Sequence, residues 1–187
     1  MLSKYLITER KSIVSKRDLV VNKTDENLRA AFAGESQANR LYLAFAKKAE
    51  EEGYTQAAKL FKATAEAETI HALNHVRITG QVQSTMDNLG TAVSGETYEF
   101  KKMYPEFIAT AKEENSKQAA WSFGVANKVE QVHANLFQAA LDAMKDKKEM
   151  EKVDYYVCSV CGHTVEGLPS EMCPICGAPR EKFFKPA

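Results

Sequence analysis

Between Thr24 and Val153 apolar residues recur three and four places apart, the spacing that lines up side chains on one face of an α-helix. Punctuation divides the stretch into four helical segments. The first is expected to open after Thr24, a good N-cap, and to close at Gly53; the second starts after Thr55 and fades near Gly80. The turn-rich run QSTMDNLGTAVS (83–94) reads as a connection with Ser94 capping the third helix. Asn115–Ser116 then separates the third helix from a fourth that runs to about Lys148. Two short links and a longer middle connection predict an all-α four-helix bundle with one crossover connection. Beyond this the helical period is lost and Gly, Pro, Cys and aromatic residues take over, which predicts a second, small domain.

The same spacing traces one inward stripe on each helix. The first carries Phe32, Glu35, Asn39, Tyr42, Ala46 and Ala49, and the second Phe61, Thr64, Ala65, Glu68, His71, Ala72 and His75. The third carries Glu96, Glu99, Phe100, Met103 and Phe107, and the fourth Phe123, Ala126, Glu130, His133 and Phe137. Each stripe holds a glutamate, and two hold Glu-x-x-His. Glu66 lies off its stripe and is expected in solvent, whereas His75 is expected to be a core histidine.

An internal repeat ties these features together. Shifting the first half by 62 places sets Tyr42 on Tyr104, Phe45 on Phe107, Phe61 on Phe123, Glu68 on Glu130 and His71 on His133. One helical hairpin has been duplicated, so the bundle should carry pseudo-twofold symmetry. The repeat slips once: Tyr42 follows Glu35 by seven places, but Tyr104 follows Glu96 by eight. If both glutamates face inward, the third helix must absorb one residue, which predicts a π-bulge between Glu96 and Tyr104.

A single Glu-x-x-His in a glutamate-rich chain is a common coincidence, but two in equivalent places are not. A buried, unpaired carboxylate has its pKa raised by roughly 3–5 units, at about 1.4 kcal/mol per unit. Five of them (Glu35, Glu68, Glu96, Glu99 and Glu130) would rival the roughly 5–15 kcal/mol of a whole domain. No lysine or arginine falls on the stripes, so cations are expected to meet this charge. One glutamate from each of two helices plus Glu-x-x-His from each of the other two is a di-iron carboxylate arrangement. Oxygen ligands with one imidazole per metal suit iron, and after it manganese.

Composition narrows the alternatives. The chain has 187 residues, with 25 basic and 25 acidic side chains, so no broad basic face is implied and neither nucleic acid nor membrane is an expected partner. Residues 1–23 lack the apolar block of a secretory signal. Their Arg, Lys and Ser content suits a transit peptide, against which Glu9 and Asp18 count, and they read as a plain N-terminal arm of a cytoplasmic protein. All four cysteines, Cys158, Cys161, Cys173 and Cys176, lie in the last 30 residues. Cys-x2-Cys-Gly and Cys-Pro-x-Cys-Gly make two knuckles that converge on a tetrahedral metal site of four sulfurs, for iron or zinc. His163, beside the first knuckle, is expected at the surface and not as a ligand.

With these motifs in view, the chain resembles the rubrerythrins of the ferritin-like superfamily. FAGE (32–35), AEAETIH (65–71), GETYE (95–99), MYPEF (103–107), VEQVH (129–133) and the two knuckles carry the resemblance over residues 24–187. It implies a ferritin-like di-iron bundle over 24–152 and a rubredoxin-like domain over 153–187, with the arm at 1–23 outside it. It implies Glu68 and Glu130 as bridging carboxylates, Glu35 as terminal ligand of one iron, and Glu96 and His133 as ligands of the other. It further implies that the first iron is held by Glu99 when oxidised and by His71 when reduced. Tyr42 and Tyr104 look like hydrogen-bond donors to ligand carboxylates, a role compatible with packing as core aromatics. The four-cysteine site, by the same resemblance, holds one iron, with zinc as the other tenant.

The implied activity is a peroxidase that reduces hydrogen peroxide to water in oxidative-stress defence. The resemblance also implies that electrons pass through the iron held by the four cysteines from a rubredoxin or an NAD(P)H-dependent reductase, and a homodimer, with helices exchanged or not, is expected. The alternative is a ferritin-like ferroxidase or iron-handling protein, against which Glu99 and the four cysteines count. A zinc-ribbon module on an inert bundle leaves the inward glutamates without a reason. An O2-activating oxygenase lacks an evident substrate pocket.

Overall fold

A computed structural model describes residues 22–148 and 150–186; the N-terminal arm falls outside them except for Asn22 and Lys23. The chain forms two compact units, one ending at Val82 and one beginning at Gln83. Among the described residues no helix is long and apolar enough to cross a membrane.

The first unit is an antiparallel hairpin of α1 (Lys23–Glu51) and α2 (Thr55–Ile78). α1 starts two residues earlier than its sequence suggests. Asn22, not Thr24, is the N-cap, and its side-chain oxygen accepts from the Asp25 amide at 2.9 Å. Asp25 and Glu26 then sit in the first turn, where the helix dipole favours negative charge. Thr55 is likewise already helical, because the preceding turn aims the backbone without a side-chain cap at Tyr54. The helices meet through Ala46, Ala49, Ala58, Ala65 and Ala72, all buried. Asn39 is buried among them, and its amide donates to Ala65 O at 2.7 Å and to Thr69 Oγ1 at 2.8 Å. A buried amide needs such partners, and these fix the register of α1 on α2.

In the second unit α3 (Thr85–Tyr98), a π-helical turn (Glu99–Met103) and α4 (Tyr104–Glu113) run as one rod against α5 (Lys117–Lys145). The connection expected over 83–94 is wrong, as is the cap at Ser94. Ser84 is the N-cap: its hydroxyl accepts from the Asp87 amide at 3.2 Å and donates to the Asp87 carboxylate at 2.6 Å. Asn88 closes the same turn onto Gln83, accepting from its amide at 2.8 Å and donating to its carbonyl at 3.0 Å. Turn-forming residues here build the start of a helix, not a loop. Ser94 lies inside α3 and donates back to Gly90 O at 2.9 Å.

The predicted insertion is present: the Tyr104 amide bonds to Glu99 O, a five-residue step in place of four. The duplication is also visible in atomic detail. The link after α1 turns at Gly53 (φ +83°) and that after α4 at Asn115 (φ +58°), the non-glycine residue type that best tolerates this region. Tyr54 N bonds Ala49 O at 2.8 Å, and Ser116 N bonds Ala111 O at 2.8 Å. The ring pairs Tyr42–Phe45, Tyr42–Phe61 and Phe45–Phe61 lie 6.3, 6.2 and 5.6 Å apart. Their counterparts Tyr104–Phe107, Tyr104–Phe123 and Phe107–Phe123 lie 6.3, 6.2 and 5.5 Å apart.

The second unit continues into a three-stranded antiparallel sheet ordered β2 (Thr164–Glu166), β1 (Tyr155–Cys158), β3 (Phe183–Phe184). Its small core is Cys158, Cys173, Ala178 and Phe183, with Tyr156, Val165 and Ile175 packed around. With so little apolar volume, the cysteines themselves form much of the interior.

Candidate metal centres

The stripes place carboxylate and imidazole together in each unit. In the first, Glu35 comes from α1 and Glu68 and His71 from α2, with one ligand atom of each within 4.8 Å of the others. His71 Nδ1 lies 3.2 Å from Glu68 Oε2. Glu35 and Glu68 share a hydrogen bond, which raises the pKa of Glu35 and lowers that of Glu68. The His71 side chain is 56% exposed, so it stands at the edge of its stripe and not deep within it.

In the second unit Glu96 comes from α3 and Glu130 and His133 from α5, again within 4.8 Å. His133 Nδ1 is 2.7 Å from Glu130 Oε2 and 4.0 Å from Glu96 Oε2. Burial, and then the Glu130 charge, push the Glu96 carboxyl up to about 7. Glu99, from the π-turn, is outside the three-residue group, yet burial and Glu130 raise its pKa too. Tyr104 is raised by burial and by Glu130, Glu99 and Glu96, which places its ring in the field of the same carboxylates. Tyr42 packs on Phe45 and Phe61 as its counterpart does on Phe107 and Phe123. Glu66 is exposed and His75 half-buried. A cavity of about 550 Å³ opens beside Glu96 and His133, with Leu89, Phe137, Met144 and Tyr155 making much of its wall apolar.

The cysteine sulfurs converge as the knuckles require. Cys158 and Cys176 Sγ are 3.8 Å apart and Cys161 and Cys173 Sγ 3.6 Å, all four falling within one ligand-sized cluster. Gly162 (φ +82°) and Gly177 (φ +72°) supply the left-handed turns, their amides bonding Cys158 O and Cys173 O at 2.8 Å each. Amides one residue further on, of His163 and Ala178, reach Cys161 and Cys176 sulfur. Burial still drives the Cys161 and Cys176 thiols upward.

Both sets of residues fit cations. Carboxylates that repel one another, and the Cys161 and Cys176 thiols that burial makes resist ionising, are groups a bound metal would keep charged. Among the described residues the ionic partners of these carboxylates are histidines, never lysine or arginine.

One expectation fails. His163 is buried, not on the surface: its ring packs edge-on to Phe183 at 6.2 Å and its carbonyl accepts from Cys158 N at 2.9 Å. It is nonetheless outside the ligand cluster. A residue the sequence did not flag, Thr164, reaches His133 Nε2 at 3.0 Å. A threonine at the head of a strand is ordinary β-former usage, so nothing in the pattern marked it.

Duplicated helical hairpins with carboxylate–histidine groups, joined to a four-cysteine ribbon, define a ferritin-like metalloprotein with a rubredoxin-like domain. The family model described as Rubrerythrin matches residues 26–141, and that described as "Rubrerythrin, rubredoxin-like domain" matches 156–184. Rubrerythrin-2 of Clostridium acetobutylicum is 38% identical, over 86% of this chain and 95% of its own length. Nigerythrin of Nitratidesulfovibrio vulgaris is 37% identical, over 92% and 91%. The solved structure of partially reduced nigerythrin matches at a TM-score of 0.52 and 34% identity, covering 99% of this chain and all of that one. The chain belongs to the rubrerythrin family. Its fold is the ferritin-like four-helix bundle with a rubredoxin-like domain, and its metals are two irons for the carboxylate–histidine groups and one iron for the cysteines. The family makes it an oxidoreductase related to oxidative stress.

Proposed function

We propose that the protein is a non-haem di-iron peroxidase that reduces hydrogen peroxide to water, with electrons relayed through the cysteine-bound iron. The observation that carries this reading is the pairing of duplicated carboxylate–histidine groups with a third inward carboxylate, Glu99, and a four-cysteine cluster in one chain. Two electrons and two protons convert one H2O2 to two waters; when bound, the bundle irons supply the electrons and the cysteine-bound iron replaces them singly.

The chain's own residues have distinct parts in this scheme. Glu68 and Glu130 would be shared between the two metals, Glu35 would hold one, and Glu96 with His133 would hold the other. Glu99 and His71 would serve one position in turn, the anionic carboxylate suiting a ferric ion and the neutral imidazole a ferrous one. The exposed edge position of His71 leaves it room to swing. Tyr104, whose hydroxyl is kept protonated by burial and by Glu130, would donate to a ligand carboxylate once metal is bound, and Tyr42 is assigned the same part in the first hairpin. The cavity beside Glu96 and His133 gives a small neutral substrate a way in while its apolar wall limits bulk water.

We further place the functional domains at 24–152 and 153–187, the protein in the cytoplasm, and a rubredoxin or an NAD(P)H-dependent reductase as electron donor. A homodimer fits the exposed apolar side chains of Leu60, Ile70 and Leu73 on α2, which a partner surface would cover. The competing reading is a ferroxidase. Supplied with excess Fe(II) and O2, a ferroxidase accumulates a ferric mineral. This protein should instead consume H2O2 catalytically with a reduced rubredoxin and build no core. Core growth without peroxide turnover would reverse the assignment.

A further inference from the structure

His133 differs from its repeat counterpart in how its second nitrogen is held. Its Nε2 lies 3.0 Å from Thr164 Oγ1, at the start of β2, two residues after the glycine of the first knuckle. Thr164 itself donates to Gly162 O at 3.2 Å. A hydroxyl has one proton, so with that proton directed to Gly162 its lone pairs face the imidazole, and Nε2 must carry hydrogen. Nδ1 is then the lone-pair nitrogen, and it points at Glu130 and Glu96, 2.7 and 4.0 Å away. A lone pair aimed at two carboxylates is unfavourable until a cation stands among them. Among the described residues His71 has only Glu68, on Nδ1, and nothing corresponding on Nε2. The knuckle also rests on α5 here, with Gly162 close enough that a Cβ on it would meet Val129 Cγ1 at 3.9 Å.

We infer that Thr164 is a positioning residue which fixes His133 in the Nε2–H tautomer and latches the first cysteine knuckle to α5, making His133 the stationary histidine and leaving its counterpart His71 free to move. The inference rests on reading His133 as a metal ligand. Ligating imidazoles commonly donate their other N–H to an orienting group, and losing that group lowers metal affinity about 10–100-fold. Here the orienting group comes from the cysteine domain, so the two sites share one hydrogen-bonded path: Cys161–Gly162 carbonyl, Thr164 hydroxyl, His133 imidazole.

The test compares full-length protein with Thr164→Val, which keeps shape and strand preference but removes the hydroxyl, and with Thr164→Ser, which restores it. Cobalt(II) binding at the bundle is followed by its visible absorption, the cysteine site being resolved by its thiolate charge-transfer bands. Nitrogen-15 NMR of the histidines reports the tautomer. Thr164→Val should weaken bundle binding about 10–100-fold and abolish the single Nε2–H signature of His133. Thr164→Ser should keep both close to the parent. Unchanged affinity and tautomer in Thr164→Val would overturn the inference, as would equal losses in both variants, which would mark packing and not the hydroxyl. His133→Ala separates the underlying reading: if it leaves bundle affinity untouched, His133 is not a ligand at all.

Discussion

Five glutamates set the character of the protein, and they do not behave alike. Glu68 is lowered by its bonds to Glu35 and His71, whereas Glu35, Glu96 and Glu99 are raised. In the metal-free protein Glu96 keeps a proton up to a pH of about 7 that the unfolded chain releases near 4.5. Its contribution is therefore complete below the lower value and is lost as pH climbs through the upper one, and Glu35 and Glu99 act in the same sense. The melting temperature of metal-free protein should fall between about pH 4.5 and pH 7 and level off above it; iron, which binds the ionised carboxylates, should stabilise most at the higher pH. A metal-free melting temperature that rises over this interval would contradict the assignment. Glu99 has a separate signature. Glu99→Ala should leave both metals bound while slowing peroxide turnover by at least the order of tenfold that loss of even an outer contact costs; unchanged turnover would remove it from the cycle.

These glutamates were legible because the repeat showed the same carboxylate–imidazole pair twice, which chance in a glutamate-rich chain does not explain. Thr164, the partners of Asn39 and the buried ring of His163 were not, since each depends on a neighbour 26 or more positions away or on the folding of a small cysteine core.

At the level of elements, the one-residue slip between Glu96 and Tyr104 predicted the π-turn, because side-chain direction along a helix is arithmetic in residue count. The same arithmetic makes a prediction. Deleting Lys101, an exposed residue of that turn, should restore a regular helix and rotate Glu96 by about 100° relative to Tyr104. Circular dichroism should show helix content preserved, while the bundle loses metal and the cysteine site keeps its own. Retained stoichiometry at the bundle would mean the turn is not needed to aim Glu96. The start of α3 was misread for the opposite reason. Ser84, Asp87 and Asn88 satisfy orphan amides at a helix start with the same residue types that build turns, and composition does not separate the two uses. Helix ends at Gly53 and Asn115 were clear, because a left-handed residue leaves a compositional mark.

On the scale of the whole molecule, membership of the rubrerythrin family joins the two kinds of site in one protein. Exposed Leu60, Ile70 and Leu73 support a dimer, which light scattering should report as twice the 20.8 kDa chain mass; a monomer at micromolar concentration would contradict it. The central claim is that peroxide, not dioxygen, is what the bundle is built to reduce, and that the cysteine-bound iron refills it. Rapid mixing of fully reduced, iron-loaded protein with H2O2 or with O2 tests this most directly. The account predicts fast oxidation by peroxide, with absorbance of the ferric cysteine site growing in only after the bundle irons have been oxidised, and slow reaction with O2. Faster reaction with O2, or a cysteine site that stays reduced after the bundle has turned over, would contradict it.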